Sequence, residues 1–260
     1  MGHYLVTGGC GFIGSHLVDS LLGDGHDVVV LDDLSSGRRE NLDPRALLVV
    51  GDVADRAVTA DAMAGVDGCF HLAAIASVAR SNEDWLGTHR TNLTGAITLF
   101  DAARKPVPVP VVYASSAAVY GAADDFYLSE DSPTRPLTAY GADKLGCELH
   151  ARVASHVHGI ATTGLRLFNV YGPRQDPHSP YSGVISIFAE RLAAGRPVTI
   201  HGDGLQTRDF IYVADVVGHL RAAMDRTRAG AAIYNVCTRH ATSVLEIARI
   251  LARRLDVSSV

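Results

Sequence analysis

TGGCGFIG, residues 7–14, joins the short apolar run HYLVTG (3–8) to a segment of helical periodicity, FIGSHLVDSLLGDG (12–25). Its glycines, Gly8, Gly11 and Gly14, fall where a strand turns sharply into a helix. The first permits the tight turn, the second lets backbone approach a pyrophosphate, and the third allows close packing, with the diphosphate at the positive helix end. A glycine trio alone is a weak signal. Here Asp32 stands at the end of the next run, DVVVLD (27–32), where a carboxylate accepts hydrogen bonds from the adenine-ribose hydroxyls. The same carboxylate repels a 2′-phosphate, so the pattern predicts NAD rather than NADP, with Arg38 and Arg39 pulling slightly the other way. Asp52 and Val53, after the run that ends in VVGD, are placed to hold the adenine edge; an ordinary turn aspartate fits that position as well.

Beyond this turn, apolar runs and helical segments keep alternating: AVTADAMAG (57–65), DGCFHLA (67–73), a stretch from Glu83 to Arg104 and PVVYASS (110–116). A helix after Tyr140 to about His156 and a strand through GIATTGLRLFNVYG (159–172) follow. Continuous apolar strands separated by helices read as βαβ units around a buried sheet. The expected fold class is α/β, a doubly wound parallel sheet of Rossmann type. From Pro173 to Gly183 the chain turns proline-rich, and shorter elements follow: a helix near Ile185–Ala194, PVTIHGDG (197–204) and TRDFIYV (207–213). The change predicts a smaller C-terminal substrate-binding lobe, residues about 170–212 and 237–260, against an NAD-binding domain of residues 1–169 and about 213–236. In that division the strand AAIYNV (231–236) rejoins the main sheet.

Composition excludes several classes. No apolar run approaches the roughly 18 residues of a membrane span, and a net charge of −5 with acids and bases interspersed offers no basic face to nucleic acid. Cys10, Cys69, Cys147 and Cys237 are far apart and form no CxxC pair, which fits a reducing cytoplasm. The histidines show no metal-ligand spacing, so no metal is expected.

Tyr140 and Lys144 form Y-x-x-x-K in a helical segment, which puts both side chains on one helix face. An ammonium there lowers the phenol pKa toward the range of a general base. The run ending in Ser115 and Ser116 delivers hydroxyls to the same crevice, since strand ends face the ligand in doubly wound sheets. A hydroxyl both donates and accepts, so Ser116, with Ser115 as the alternative, relays a proton between a substrate hydroxyl and the tyrosine.

These residues together resemble the extended short-chain dehydrogenase/reductases that act on nucleotide sugars, an NAD-dependent epimerase and dehydratase group. TGGCGFIG, Asp32, GDV (51–53), HLAA (71–74), Asn92, SSAAVYG (115–121), YGADK (140–144), LFNVYGPRQDP (167–177) and GDGLQTRDFIYV (202–213) match in family order across nearly the whole chain. The resemblance implies cofactor contacts at Gly8, Gly11, Phe12, Ile13, Gly14, Asp32, Asp52, Val53, Leu72, Ala73, Ala74, Asn92, Tyr140 and Lys144, with Asn92 also supporting the active-site helix. It implies substrate contacts at Ser115, Ser116, Asn169, Val184 and Arg208, the last suited to phosphate oxygens. A turn asparagine and an Arg208–Asp209 surface ion pair are the plainer readings of Asn169 and Arg208.

Family members that dehydrate a hexose carry an acid pair where this chain has Ala117 and Ala118, and decarboxylating relatives tend to carry a glutamate. A methyl group neither donates nor accepts a proton. Simple oxidation and reduction at a carbinol need only Ser, Tyr, Lys and NAD, so the resemblance implies 4-epimerisation of a UDP-hexose or its N-acetyl form through a transient 4-keto sugar. A dTDP- or GDP-sugar epimerase or reductase, or an idle NAD-binding module, are the alternatives. Members of the family commonly run longer, so the ending LARRLDVSSV reads as a reduced lobe or a truncated piece. The segments Glu83–Arg104 and Ala139–His156 resemble the four helices of the family's homodimer interface, packing within one monomer being the other reading.

Overall fold

The computed structural model describes residues 1–122, 127–177 and 183–256. Numbering strands along the chain, β1 (His3–Thr7), β2 (Asp27–Asp32), β3 (Leu47–Val50), β4 (Gly68–His71), β5 (Val111–Ser116), β6 (Thr162–Leu167) and β9 (Ala231–Val236) form one parallel sheet. Their order is β3-β2-β1-β4-β5-β6-β9. Val6 of β1 lies opposite Val30 on one side and Phe70 on the other. The chain therefore winds outward in both directions from β1, and the crevice at that switch point opens at the carboxyl ends of the strands.

The apolar runs are continuous because both sheet faces are covered. Val6, Val28, Val30, Phe70 and Val112 pack against α1 (Phe12–Gly23) and α8 (Val213–Arg226). Their alternates Leu5, Val29, Leu31, Cys69 and Val111 pack against α2 (Arg56–Ala62), α5 (Gly95–Ala102) and α6 (Ala139–His158). Fully burying one such Val or Leu is worth about 1.5–3 kcal/mol. α6 starts where Thr138 Oγ1 accepts the Gly141 N–H at 3.0 Å and stops at Gly159 in the left-handed conformation, φ 69°.

Three expectations are refined. The helical stretch expected from Glu83 to Arg104 runs from Trp85 to Ala102: α3 (Val78–Glu83) ends at Asp84, whose carboxylate accepts the Gly87 N–H at 3.0 Å and caps α4 (Trp85–His89). A π-helical turn, Arg90–Thr94, then leads into α5. The run 159–172 is two strands in two sheets, since the chain leaves β6 at Phe168 and re-forms as β7 (Asn169–Tyr171). PVTIHGDG, expected as one of the shorter elements, forms neither helix nor strand, and Gly202 and Gly204 both turn at positive φ.

The second sheet has the order β10 (Ala241–Ser243), β8 (Thr207–Tyr212), β7, with β7 parallel and β10 antiparallel to β8. α7 (Val184–Ala193) and α9 (Val244–Arg254) pack beside it around Phe188, Ile247 and Ala248, and Val198 and Ile200 join this small core.

Candidate active site

The first turn is as tight as its glycines predict. Gly8 sits at φ 71°, and a Cβ there would lie 2.7 Å from the Ala73 nitrogen; at Gly14 it would lie 2.1 Å from the Gly8 carbonyl oxygen. Gly11 caps α1 without any side-chain bond, so the first N–H groups of the helix face outward. They face a cavity of about 1080 Å³ lined by Gly8, Gly11, Phe12, Ile13 and Gly14, and also by Asp32, Asp52, Val53, Leu72, Ala73 and Ala74. Asp32 is buried: its Oδ2 accepts the Cys10 N–H and its Oδ1 the Leu34 N–H, each at 2.9 Å. Burial raises its pKa, and these two N–H groups oppose the rise. Its carboxylate thus pins the glycine turn to the end of β2 while its remaining lone pairs reach the cavity.

Asp52 has a largely local task. Its Oδ1 accepts the Ala54 N–H at 2.8 Å and its Oδ2 pairs with Arg90 at 2.8 Å; burial pushes the carboxyl up, but these bonds together hold it below the usual range. Asn92, expected among the cofactor contacts and as support for the active-site helix, bonds to backbone beside the cavity. It is buried in the π turn, off the cavity wall, where its amide accepts the Ile75 N–H at 2.8 Å and donates to the Ile75 carbonyl at 3.2 Å. It shapes the 74–77 segment, which does line the cavity.

Ser116, Tyr140 and Lys144 meet on the same wall. Tyr140 sits in the first turn of α6 with its N–H on Ser81 Oγ at 3.3 Å. Lys144, 2% exposed, donates to the Ala114 carbonyl at 2.9 Å, with Nζ 5.8 Å from the Tyr140 ring centre. The Ser116 hydroxyl accepts the Ala118 N–H at 3.1 Å and opens the 3₁₀ turn Ala117–Tyr120, so the two alanines adjoin the reactive set. Ser115, the alternative to Ser116, also borders the cavity, but it is 2% exposed and its hydroxyl donates to Glu148 Oε1 at 2.5 Å. Sequence reasoning missed Arg80, a cation on this wall in a segment that carries no motif, and the buried Glu148–Arg166 pair described below.

Asn169, Val184 and Arg208 come together in a second cavity of about 400 Å³, which adjoins the first through Val170 and Gln175. Asn169 Nδ2 donates to the Asp209 carbonyl at 3.0 Å, and Arg208 Nη1 to the Thr207 carbonyl at 2.7 Å. The Asp209 carboxylate accepts from Thr238 and from the His240 N–H instead of pairing with Arg208. Gln175 stands at the seam, with Nε2 on the Val170 carbonyl at 3.3 Å and Oε1 buried without a partner among the described residues. Residues 178–182, within the proline-rich segment expected from Pro173 to Gly183, lie outside the described residues.

The sequence model of the NAD dependent epimerase/dehydratase family matches residues 4–237. The chain belongs to this family. It is 42% identical over 256 residues to a UDP-glucose 4-epimerase of Mycolicibacterium smegmatis, covering 95% of this chain and 81% of that one. It is 41% identical over 245 residues to a dTDP-glucose 4,6-dehydratase of Streptomyces griseus, covering 90% and 73%. Among solved structures, a Thermotoga maritima UDP-glucose 4-epimerase crystallised with UDP-glucose superposes with a TM-score of 0.94 at 35% identity, covering 99% of this chain and 84% of that one. The family's cofactor is NAD, and the first cavity fits it: a bare helix end for the diphosphate, a turn so tight that Gly8 and Gly14 leave no room for a Cβ, and a carboxylate for the ribose. No helix among the described residues is long and apolar enough to cross a membrane.

Proposed function

We propose that this family member is a UDP-hexose 4-epimerase, acting on UDP-glucose and UDP-galactose or their N-acetyl forms. The observation that carries the reading is the wall where Ser116, Tyr140 and Lys144 converge and the adjoining turn offers two methyl groups in place of acids. Bound NAD supplies a reversible hydride acceptor for the sugar carbon. Tyr140 removes the 4-hydroxyl proton, through or beside Ser116, and returns it after the keto sugar has turned its other face. Lys144, anchored on the Ala114 carbonyl, balances the negative charge on the phenol oxygen. Arg208 and Asn169 grip the nucleotide diphosphate from the second cavity, with Val184 near the base, so that the second sheet with α7 and α9 acts as the nucleotide-holding lobe.

The 41% identical dehydratase favours a second reading, but nothing at residues 117 and 118 can carry its acid and base steps. The homodimer belongs to the proposal too, through α4, α5 and α6. The test is incubation with UDP-glucose, UDP-galactose and their N-acetyl forms without added cofactor, followed by separation of the products. The wild type interconverts a pair, and Tyr140→Phe lowers kcat by about 10²–10⁴-fold, the usual worth of a general base. Turnover of a dTDP- or GDP-sugar in place of every UDP-sugar would overturn the assignment.

A further inference from the structure

Ser116 sits on a turn that one buried ion pair holds at both ends. Ahead of it, Ser115 Oγ donates to Glu148 Oε1. Glu148 is met by Arg166 in a bidentate pair, Nε to Oε1 at 2.9 Å and Nη2 to Oε2 at 2.8 Å, with both side chains buried. Behind it, Arg166 Nη1 donates to the Tyr120 hydroxyl at 2.8 Å, and Tyr120 in turn donates to Asn235 Oδ1 at 2.7 Å. The guanidinium also lies 4.8 Å from the Tyr120 ring centre. Residues 116–120 are therefore strung between two partners of one Glu–Arg pair.

The spacing ties this pair to the reacting groups. Glu148 is one turn beyond Lys144 and two beyond Tyr140 on α6, and Arg166 is the ladder neighbour of Ser115 across β5 and β6. Lys144 grips the backbone of β5 at Ala114, and Glu148 grips its next side chain. Two successive residues of β5 are thus locked to two successive turns of the helix that carries the phenol. Stability alone does not call for this arrangement: a buried ion pair is often replaceable by apolar residues of similar volume at little or no cost. Reaction geometry does call for it, since a displacement of about 1 Å can lower a rate about 10²-fold.

We infer that Ser115 and Glu148 are positioning residues, which with Arg166 fix the Ser116 turn against α6 so that the Ser116 hydroxyl and the Tyr140 phenol keep their working separation. The inference rests on the proton-handling roles proposed above for Ser116, Tyr140 and Lys144.

Steady-state kinetics of the NAD-loaded protein test it. Ser115→Ala, which leaves the ion pair intact, lowers kcat about 10-fold with KM within about twofold, because geometry and not ground-state binding is lost. Ser115→Thr, which restores the hydroxyl, recovers most of kcat. Glu148→Leu with Arg166→Met removes both charges together, keeps the melting temperature close to that of the wild type, and lowers kcat about 10²-fold. A kcat within twofold of the wild type in Ser115→Ala overturns the inference, and so does a loss confined to KM. Amide exchange at Ala117–Tyr120 reads the same clamp without turnover: it speeds up in Ser115→Ala while β1 and β2 keep their protection, and unchanged exchange overturns the inference. If the wild type converts no nucleotide sugar, the functional reading fails and the exchange arm still decides the clamp.

Discussion

At the scale of single residues, His71 shows how the crevice constrains the protein as well as its ligand. It is 3% exposed at the end of β4, with Nδ1 2.8 Å from Thr7 Oγ1 and Nε2 without a partner among the described residues. Burial, and then the positive charge of Lys144, hold its imidazole down to about 3, against 6.5 for the free group. The folded value lies below the unfolded one, so the associated stability is complete above pH 6.5 and is lost as pH falls toward 3, by at most about 1.4 kcal/mol per pH unit. Urea unfolding of the wild type at pH 7 and pH 5 should therefore show a larger loss of stability than His71→Asn shows between the same two values. Equal losses would remove His71 from the acid response. The residue scale also marks where sequence reading stops. Tyr140 and Lys144 are legible because helical spacing alone puts them on one face. Ser115 and Ser116 are not separable in sequence: alternation sends them to opposite faces of β5, and only the packing of α6 determines which hydroxyl meets Glu148 and which the cavity.

At the scale of elements, the strand–turn–helix of residues 3–23 was legible because its chemistry is local: glycine alone fits the left-handed turn at Gly8 and the close approach at Gly14. The elements that sequence misplaced all depend on distant partners. β6 and β7 read as one run because apolar alternation does not report a change of sheet, and the π turn at Arg90–Thr94 arises where Asn92 reaches Ile75 and its carbonyl accepts Cys147 Sγ. Two substitutions separate the fold of the first turn from its binding. Gly14→Ala drives a methyl to 2.1 Å from the Gly8 carbonyl oxygen, so urea unfolding should show a loss of about 1–3 kcal/mol, and the purified protein should carry no NAD. Gly11→Ala meets only that same oxygen, at 3.2 Å, and adds its methyl at a residue that lines the cavity. It should keep nearly the stability of the wild type while losing bound NAD, measured as cofactor released on denaturation. A Gly11→Ala protein with a full complement of NAD would place the diphosphate elsewhere.

At the scale of the whole molecule, α6 has two apolar sides. Cys147, Ala151 and Ala154 face the sheet, whereas Leu149, Val153 and Val157, spaced by one helical turn each, are 55%, 52% and 61% exposed. Trp85 and Leu86 of the adjoining α4 are exposed as well, at 68% and 84%. Exposed large apolar side chains grouped on neighbouring helices mark an interface when they form one patch. Under the proposed twofold arrangement, each α4–α5 and α6 face meets its own copy, so any substitution enters the interface twice. Val153→Asp then puts two carboxylates into one desolvated contact, each costing about 1–3 kcal/mol, and dimer dissociation should become easier by about 10²-fold or more. Sedimentation at micromolar concentration should show a dimer for the wild type and a monomer for Leu149→Asp/Val153→Asp. Because Tyr140, Lys144 and Glu148 lie on the same helix as this face, the monomer should also turn over more slowly while keeping its NAD. A wild type that sediments as a monomer would assign the stripe to another partner and leave α6 held by its own sheet alone.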